Sequence, residues 1–124
     1  MEIYTGNFAN VRKYESAGLK PISIAVSARY FTGTCYRELN PDKSFMHDEE
    51  IDYKPKFMQK LSTLNAGCVV EDLEKLSGGK DVVLCCHESA GTFCHRQLVA
   101  KWLNEQLGIE ILELGKMGLL KNSI

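Results

Sequence analysis

At 124 residues the chain has the size of one domain, 1–124, and a hydrophobic share of 44% suffices for a single core. A formal charge of -1 with an isoelectric point near 6.3 gives no basic field, which argues against nucleic-acid backbone binding as the main activity. No apolar run approaches the ~18 residues of a membrane span. Five cysteines, an odd number without the spacing of a disulfide scaffold, and the lack of a charged-then-apolar leader point to a reducing cytoplasm.

In chain order, residues 1–5 read as a short strand ended by Gly6-Asn7. Phe8, Val11 and Tyr14 then recur at three-residue spacing, which predicts a short helical element. Pro21 suits a strand entry, and residues 22–27, apolar almost throughout, predict a central parallel strand. Its carboxyl end runs into Arg29 and Tyr30. Residues 34–52 lack a clear period. Such a connection reads either as a lid over a ligand or as a surface loop fastened by Tyr36 and Phe45. From Tyr53 a helix is predicted, with Phe57, Leu61 and Leu64 on one stripe and Pro55 in its first turn. A second helix carries Val69, Val70, Leu73 and Leu76 and stops at Gly78-Gly79. A strand from Asp81, a helix over 93–107 and a last short strand at Ile109, Ile111 and Leu112 complete the pattern. Helical crossovers between strands predict an α/β fold, a small three-layer, Rossmann-like and mostly parallel sheet with flanking helices.

Chemistry is concentrated between residues 81 and 100. Along a strand Val82, Leu84, Cys86 and Glu88 share one face, while Val83, Cys85 and His87 share the other. The adjacent Cys85 and Cys86 therefore should not serve one site, and Cys85 reads as core packing. Thr92 is the expected N-cap of the following helix, which puts Cys94, His95 and Arg96 in its first turn. That turn presents unpaired amides and partial positive charge, so it favours anions and thiolates. Arg96 adds a planar fork of donors for phosphate or carboxylate. Arg29 and Tyr30, at the end of the neighbouring strand, are candidates for the second wall of the same crevice. Each residue has a plain structural alternative: buried cysteines, a histidine satisfied by a carbonyl, a salt-bridged arginine. Their convergence on one turn is what points to a site.

The pattern Leu84-Cys85-Cys86-His87-Glu88, then Gly91-Thr92-Phe93-Cys94-His95-Arg96, then Leu98-Val99-Ala100 and Trp102-Leu103 resembles the signature of the family catalogued as domain of unknown function 488. On these residues Cys86, Glu88, Cys94, His95 and Arg96 match its Cys-x-Glu and Cys-His-Arg elements. The opening Ile3-Tyr4-Thr5 and the strand-like segment 21–25 extend the resemblance over nearly the whole chain. It implies a compact α/β fold with a Cys/His/Arg site and no particular reaction or cofactor.

Three functional classes follow. The first is an enzyme or receptor for a small anionic ligand, such as a nucleotide derivative, with Arg96, Thr92, Arg29 and Tyr30 binding it. Cys86 or Cys94 would be the nucleophile, with His95 or Glu88 as base. No cysteine lies six residues before Arg96, so the loop of cysteine phosphatases is missing. The second is a zinc or iron site on Cys86, Cys94 and His95, joined by Cys35 or His47. Against it, neighbouring helical residues diverge by about 100° around the axis. The third is a recognition module for nucleic acid or protein using Tyr30, Phe31, Tyr36 and Arg37, disfavoured by the near-neutral charge.

Overall fold

The computed structural model describes residues 1–27, 30–88 and 93–114. The strands are β1 (Ile3–Asn7), β2 (Lys20–Ser23), β3 (Thr34–Cys35), β4 (Val82–Cys86) and β5 (Leu112–Glu113). They form one sheet in the order β3-β2-β4-β1-β5, and every pairing is parallel. The helices are α1 (Val11–Ser16), α2 (Glu50–Ser62), α3 (Ala66–Ser77) and α4 (His95–Leu107).

Side-chain alternation along β4 divides the core. Val82 and Leu84 enter one cluster with Phe57 and Leu61 of α2, Val69 and Leu73 of α3, and Val99, Trp102 and Leu103 of α4. Val83 and Cys85 enter the other, with Tyr14 of α1 and Leu114. β4 is buried along its whole length because helices cover both of its faces. Three helices thus lie on one face of the sheet and the short α1 on the other. Each fully buried Leu or Phe in the larger cluster contributes about 1.5 to 3 kcal/mol.

Several boundaries differ from the sequence expectation for identifiable reasons. β1 runs on through Gly6 and Asn7, where a turn was expected, because Tyr14 packs directly over Gly6. A Cβ there would lie 2.5 Å from the Tyr14 hydroxyl oxygen and 2.8 Å from a Val83 methyl, and the Asn7 amide donates to that hydroxyl oxygen. β2 is an interior parallel strand as expected, between β3 and β4, but it runs over Lys20–Ser23 and stops short of residues 24–27. The two-residue β3 falls in the segment expected to be aperiodic, its pairing fixed by β2 rather than by its own propensity. α2 begins at Glu50, one turn before the expectation, so Pro55 lies inside the helix on its exposed side. Glu50 and Asp52 in its first turn suit the positive end of the helix. α3 conforms at both ends: the Asn65 side chain accepts the Cys68 amide at 3.0 Å, and Gly78 closes the helix with a left-handed φ of 65°.

The connection from β2 to α2 is fastened to the body and also lines a cavity. Tyr36, Leu39 and Phe45 are buried in the larger cluster, and the Phe45 ring meets Tyr53 edge-on at 5.2 Å. Pro41, Met46 and Asp48 of the same connection reach the cavity described next.

Candidate functional site at the β4–α4 junction

α4 is capped by Cys94, not Thr92. Cys94 is extended, at φ -153° and ψ 154°; its sulfur accepts the Gln97 backbone amide, while Gln97 Oε1 accepts the Cys94 amide at 3.3 Å. This is a capping box with cysteine in the place of serine or threonine. The spacing Cys94-x-x-Gln97 carried that signal in the sequence. Only His95 and Arg96 of the expected trio therefore stand in the first turn. Thr92 and Arg29 lie outside the described residues.

The extended cap also removes the angular objection to a shared site. Cys94 Sγ lies 3.4 Å from His95 Nδ1, since the cap residue does not follow the helical rotation. His95 Nε2 lies 2.6 Å from the Ile24 carbonyl oxygen, which can only accept, so Nε2 carries the proton and Nδ1 is left as an acceptor towards the sulfur. Burial pulls His95 down to about 4; the Ile24 hydrogen bond opposes this and the Arg96 charge adds to it. The ring is held edge-on against Phe57 at 5.4 Å.

Arg96 is completely buried. Its Nε donates to Glu113 Oε1 at 2.8 Å, and one terminal nitrogen donates both to Cys86 Sγ and to the Glu88 backbone carbonyl, each at 2.8 Å. Glu113 sits at the end of β5, beyond reach of any local pattern. Arg96 thus acts on the sulfur of Cys86 and ties β4, α4 and β5 together at their functional edge. The sulfurs of Cys86 and Cys94 are joined as a disulfide across a separation of 8 residues. Cys86 Sγ, Cys94 Sγ and a His95 ring nitrogen all lie within 4.8 Å of one another. Reduction of the pair would leave two buried sulfurs among an arginine N–H, a helix amide and an imidazole acceptor. Cys85, on the opposite face, is a separate case: burial pushes its thiol up to about 12, as expected of core packing.

A cavity of about 260 Å³ opens beside the cluster. Cys86, Cys94 and His95 form its floor; Val26, Met46, Tyr53 and Phe93 give it apolar walls, and His87, Glu88 and Asp48 its polar rim. Tyr53 and Phe93 meet edge-on at 5.5 Å, and Lys54 Nζ stands 5.5 Å over the Phe93 ring. Neither aromatic stood out in the sequence as more than core or helix face. Glu88 lines the cavity, whereas its backbone, not its carboxylate, is what Arg96 engages. Tyr30 lies elsewhere, in a second cavity on the other face of the sheet. Tyr36 is unavailable for stacking: it is buried, and its hydroxyl donates to Asp72 Oδ2 at 2.6 Å. Cys35 and His47 are not part of the sulfur-imidazole cluster.

Among the described residues no helix is long and apolar enough to cross a membrane. No curated protein and no solved structure matches the chain. A family model described as the active DUF488-N3 subclade matches residues 20–107, a span that includes β2, β3, β4 and all of α2, α3 and α4. With that share of its length matched, and with Cys86, Glu88, Cys94, His95 and Arg96 inside the match, the chain belongs to the DUF488 family.

Proposed function

We propose that this protein binds a small molecule bearing a phosphate or carboxylate, such as a nucleotide derivative, and acts on it through the sulfurs of Cys86 and Cys94. The observation that carries this reading is the convergence of Cys86, Cys94 and His95 on the floor of one cavity, with Arg96 behind them. In the reduced protein Cys94 is the nucleophile. Its sulfur forms a bond to an electrophilic atom of the ligand as that atom's bond to the departing group breaks, and the thiol proton, taken up by His95 Nδ1, which the Ile24 carbonyl holds in the accepting tautomer, passes to the departing group. Burial, which pulls the imidazole down, favours that return and opposes the uptake. The Arg96 guanidinium balances negative charge on Cys86, the second sulfur. Glu88, on the rim, is placed for a solvent-facing proton transfer, and the amides at the start of α4 favour an anionic group on the ligand.

The test is the reaction of the reduced protein with a small haloacetamide, resolved by residue in a Cys35→Ser, Cys68→Ser background. The reading expects Cys94 to react faster than a free thiol at neutral pH, and His95→Gln to slow it. Equal rates in both proteins would remove the nucleophile role.

A second reading rests on one observation, the three soft ligand atoms within 4.8 Å. Reduced Cys86 and Cys94 with His95 Nδ1 would hold zinc or iron as a Cys2His set, and the Nε2 bond to Ile24 is the outer contact such a histidine needs. Metal analysis of gently purified protein before and after chelation decides it. Substoichiometric metal in the untreated protein rules this reading out.

A further inference from the structure

The larger cavity of the molecule is not the one beside the thiols. It lies on the opposite face of the sheet, where α1 covers only part of the surface, and has a volume of about 760 Å³. That is within the usual range for small-molecule sites, about 300 to 1,000 Å³. Phe8 and Phe31 stand inside it with ring centres 5.2 Å apart, and Phe8 meets His87 edge-on at 5.0 Å. Tyr30 rims it at 92% exposure. An aromatic side chain left so open at the mouth of a cavity has its whole face available to cover a planar ring.

Charge separates the two cavities. Arg12, Lys13 and Lys20 line the larger one against a single carboxylate, Glu15. Among the described residues the lining of the smaller has the carboxylates of Asp48 and Glu88 and no lysine or arginine. Among the described residues neither Arg12 nor Lys20 takes part in an ion pair. Aromatic faces alone would suit many apolar ligands, and cations alone would suit any anion. Both together in a space of this size select a planar ring carrying a negative group.

We infer that the cavity between α1 and the Tyr30-Phe31 segment binds a nucleoside monophosphate or a ligand of the same chemistry, an aromatic heterocycle joined to a phosphate. The ring lies against Phe31 and Tyr30, and Arg12 holds the phosphate. The site stands on the face of the sheet away from the cysteines and does not depend on the chemistry proposed for them. Ser27 and His87 line both cavities, so the two sites share a wall.

The experiment is isothermal titration of the full chain with each of the four nucleoside 5′-monophosphates, repeated with Arg12→Glu and Tyr30→Ala. Both residues are exposed, and circular dichroism checks that each variant is folded. At least one nucleotide is expected to bind with a dissociation constant below about 1 mM, and Arg12→Glu to weaken it about tenfold or more. Tyr30→Ala is expected to weaken it about threefold to tenfold, the loss of one stacking face. Absence of binding by all four nucleotides overturns the inference, and so does binding that neither variant changes. Binding abolished by Cys94→Ser but untouched by Arg12→Glu also overturns it, because the anion then sits on the thiol face; that outcome leaves the proposed thiol chemistry standing.

Discussion

The two cavities are built in opposite ways. The smaller is floored by groups that are buried and already engaged with one another: Cys86, Cys94 and His95 are all at most 6% exposed, and Arg96 behind them is fully enclosed. The larger is lined by exposed side chains such as Arg12 on the six-residue α1 and Tyr30 on a loop, together with half-buried Phe8 and Phe31 and with Lys20 and Pro21 of β2. Burial of the first kind shifts protonation and fixes tautomers, which is what reactive groups require. Exposed side chains of the second kind, such as Arg12 and Tyr30, suit recognition of a ligand. The two proposed sites thus differ in depth and in face.

The largest expected effect lies in the buried set. Arg96→Met should destabilise the protein by about 3 to 5 kcal/mol in urea denaturation, because it leaves the Glu113 carboxylate without its cation in a site where Glu113 is only 13% exposed. A loss below about 1 kcal/mol would mean that the guanidinium is not holding this edge together.

Next comes pH. The folded value of His95, about 4, lies below its ordinary 6.5, so the unfolded chain takes up the proton first on acidification. Its contribution is complete above pH 6.5 and is lost as pH falls from 6.5 towards 4, by up to about 3 kcal/mol. His95→Gln, which can keep the bond to the Ile24 carbonyl, should flatten that part of the stability profile. An unchanged slope would place the acid sensitivity elsewhere.

A smaller effect sharpens the contrast between the faces. Gly6→Ala forces a methyl into Tyr14 and Val83, at an expected cost of about 1 to 3 kcal/mol. Displacement of α1 should weaken nucleotide binding on its face while leaving the alkylation rate of the cysteines unchanged. If both fall together, the two faces are not independent. Smallest of all, Arg12→Glu should alter stability by no more than about 0.5 kcal/mol, as a surface change away from packed features does.

The parallel α/β layering was legible because β4, α3 and α4 carry strong local patterns. So was the clustering at 86 to 96, since strand alternation and a helix start bring those residues together within a short stretch of chain. What the sequence did not disclose depends on distant partners: Glu113 reaching Arg96, the Ile24 carbonyl reaching His95, Tyr53 and Phe93 closing the cavity. The cap lies at Cys94 rather than Thr92 for a local reason: Gln97 closes a capping box with Cys94, which outweighs the commoner preference for a threonine hydroxyl. Tyr30, expected in the wall of the same crevice as the cysteines, lines a different cavity instead, and β2 ends at Ser23, short of the expected residue 27. The two-residue β3 has no propensity signal at all.

Residue-resolved alkylation of the reduced wild-type protein by iodoacetamide, followed by mass spectrometry across pH, tests most directly whether the buried sulfurs form one reactive centre. Exposed Cys35 and buried Cys85 serve as standards within the same molecule. The account predicts that Cys94 outpaces Cys35 about tenfold at neutral pH, with Cys85 inert. Cys94 and Cys86 both reacting no faster than Cys35 at every pH would contradict it.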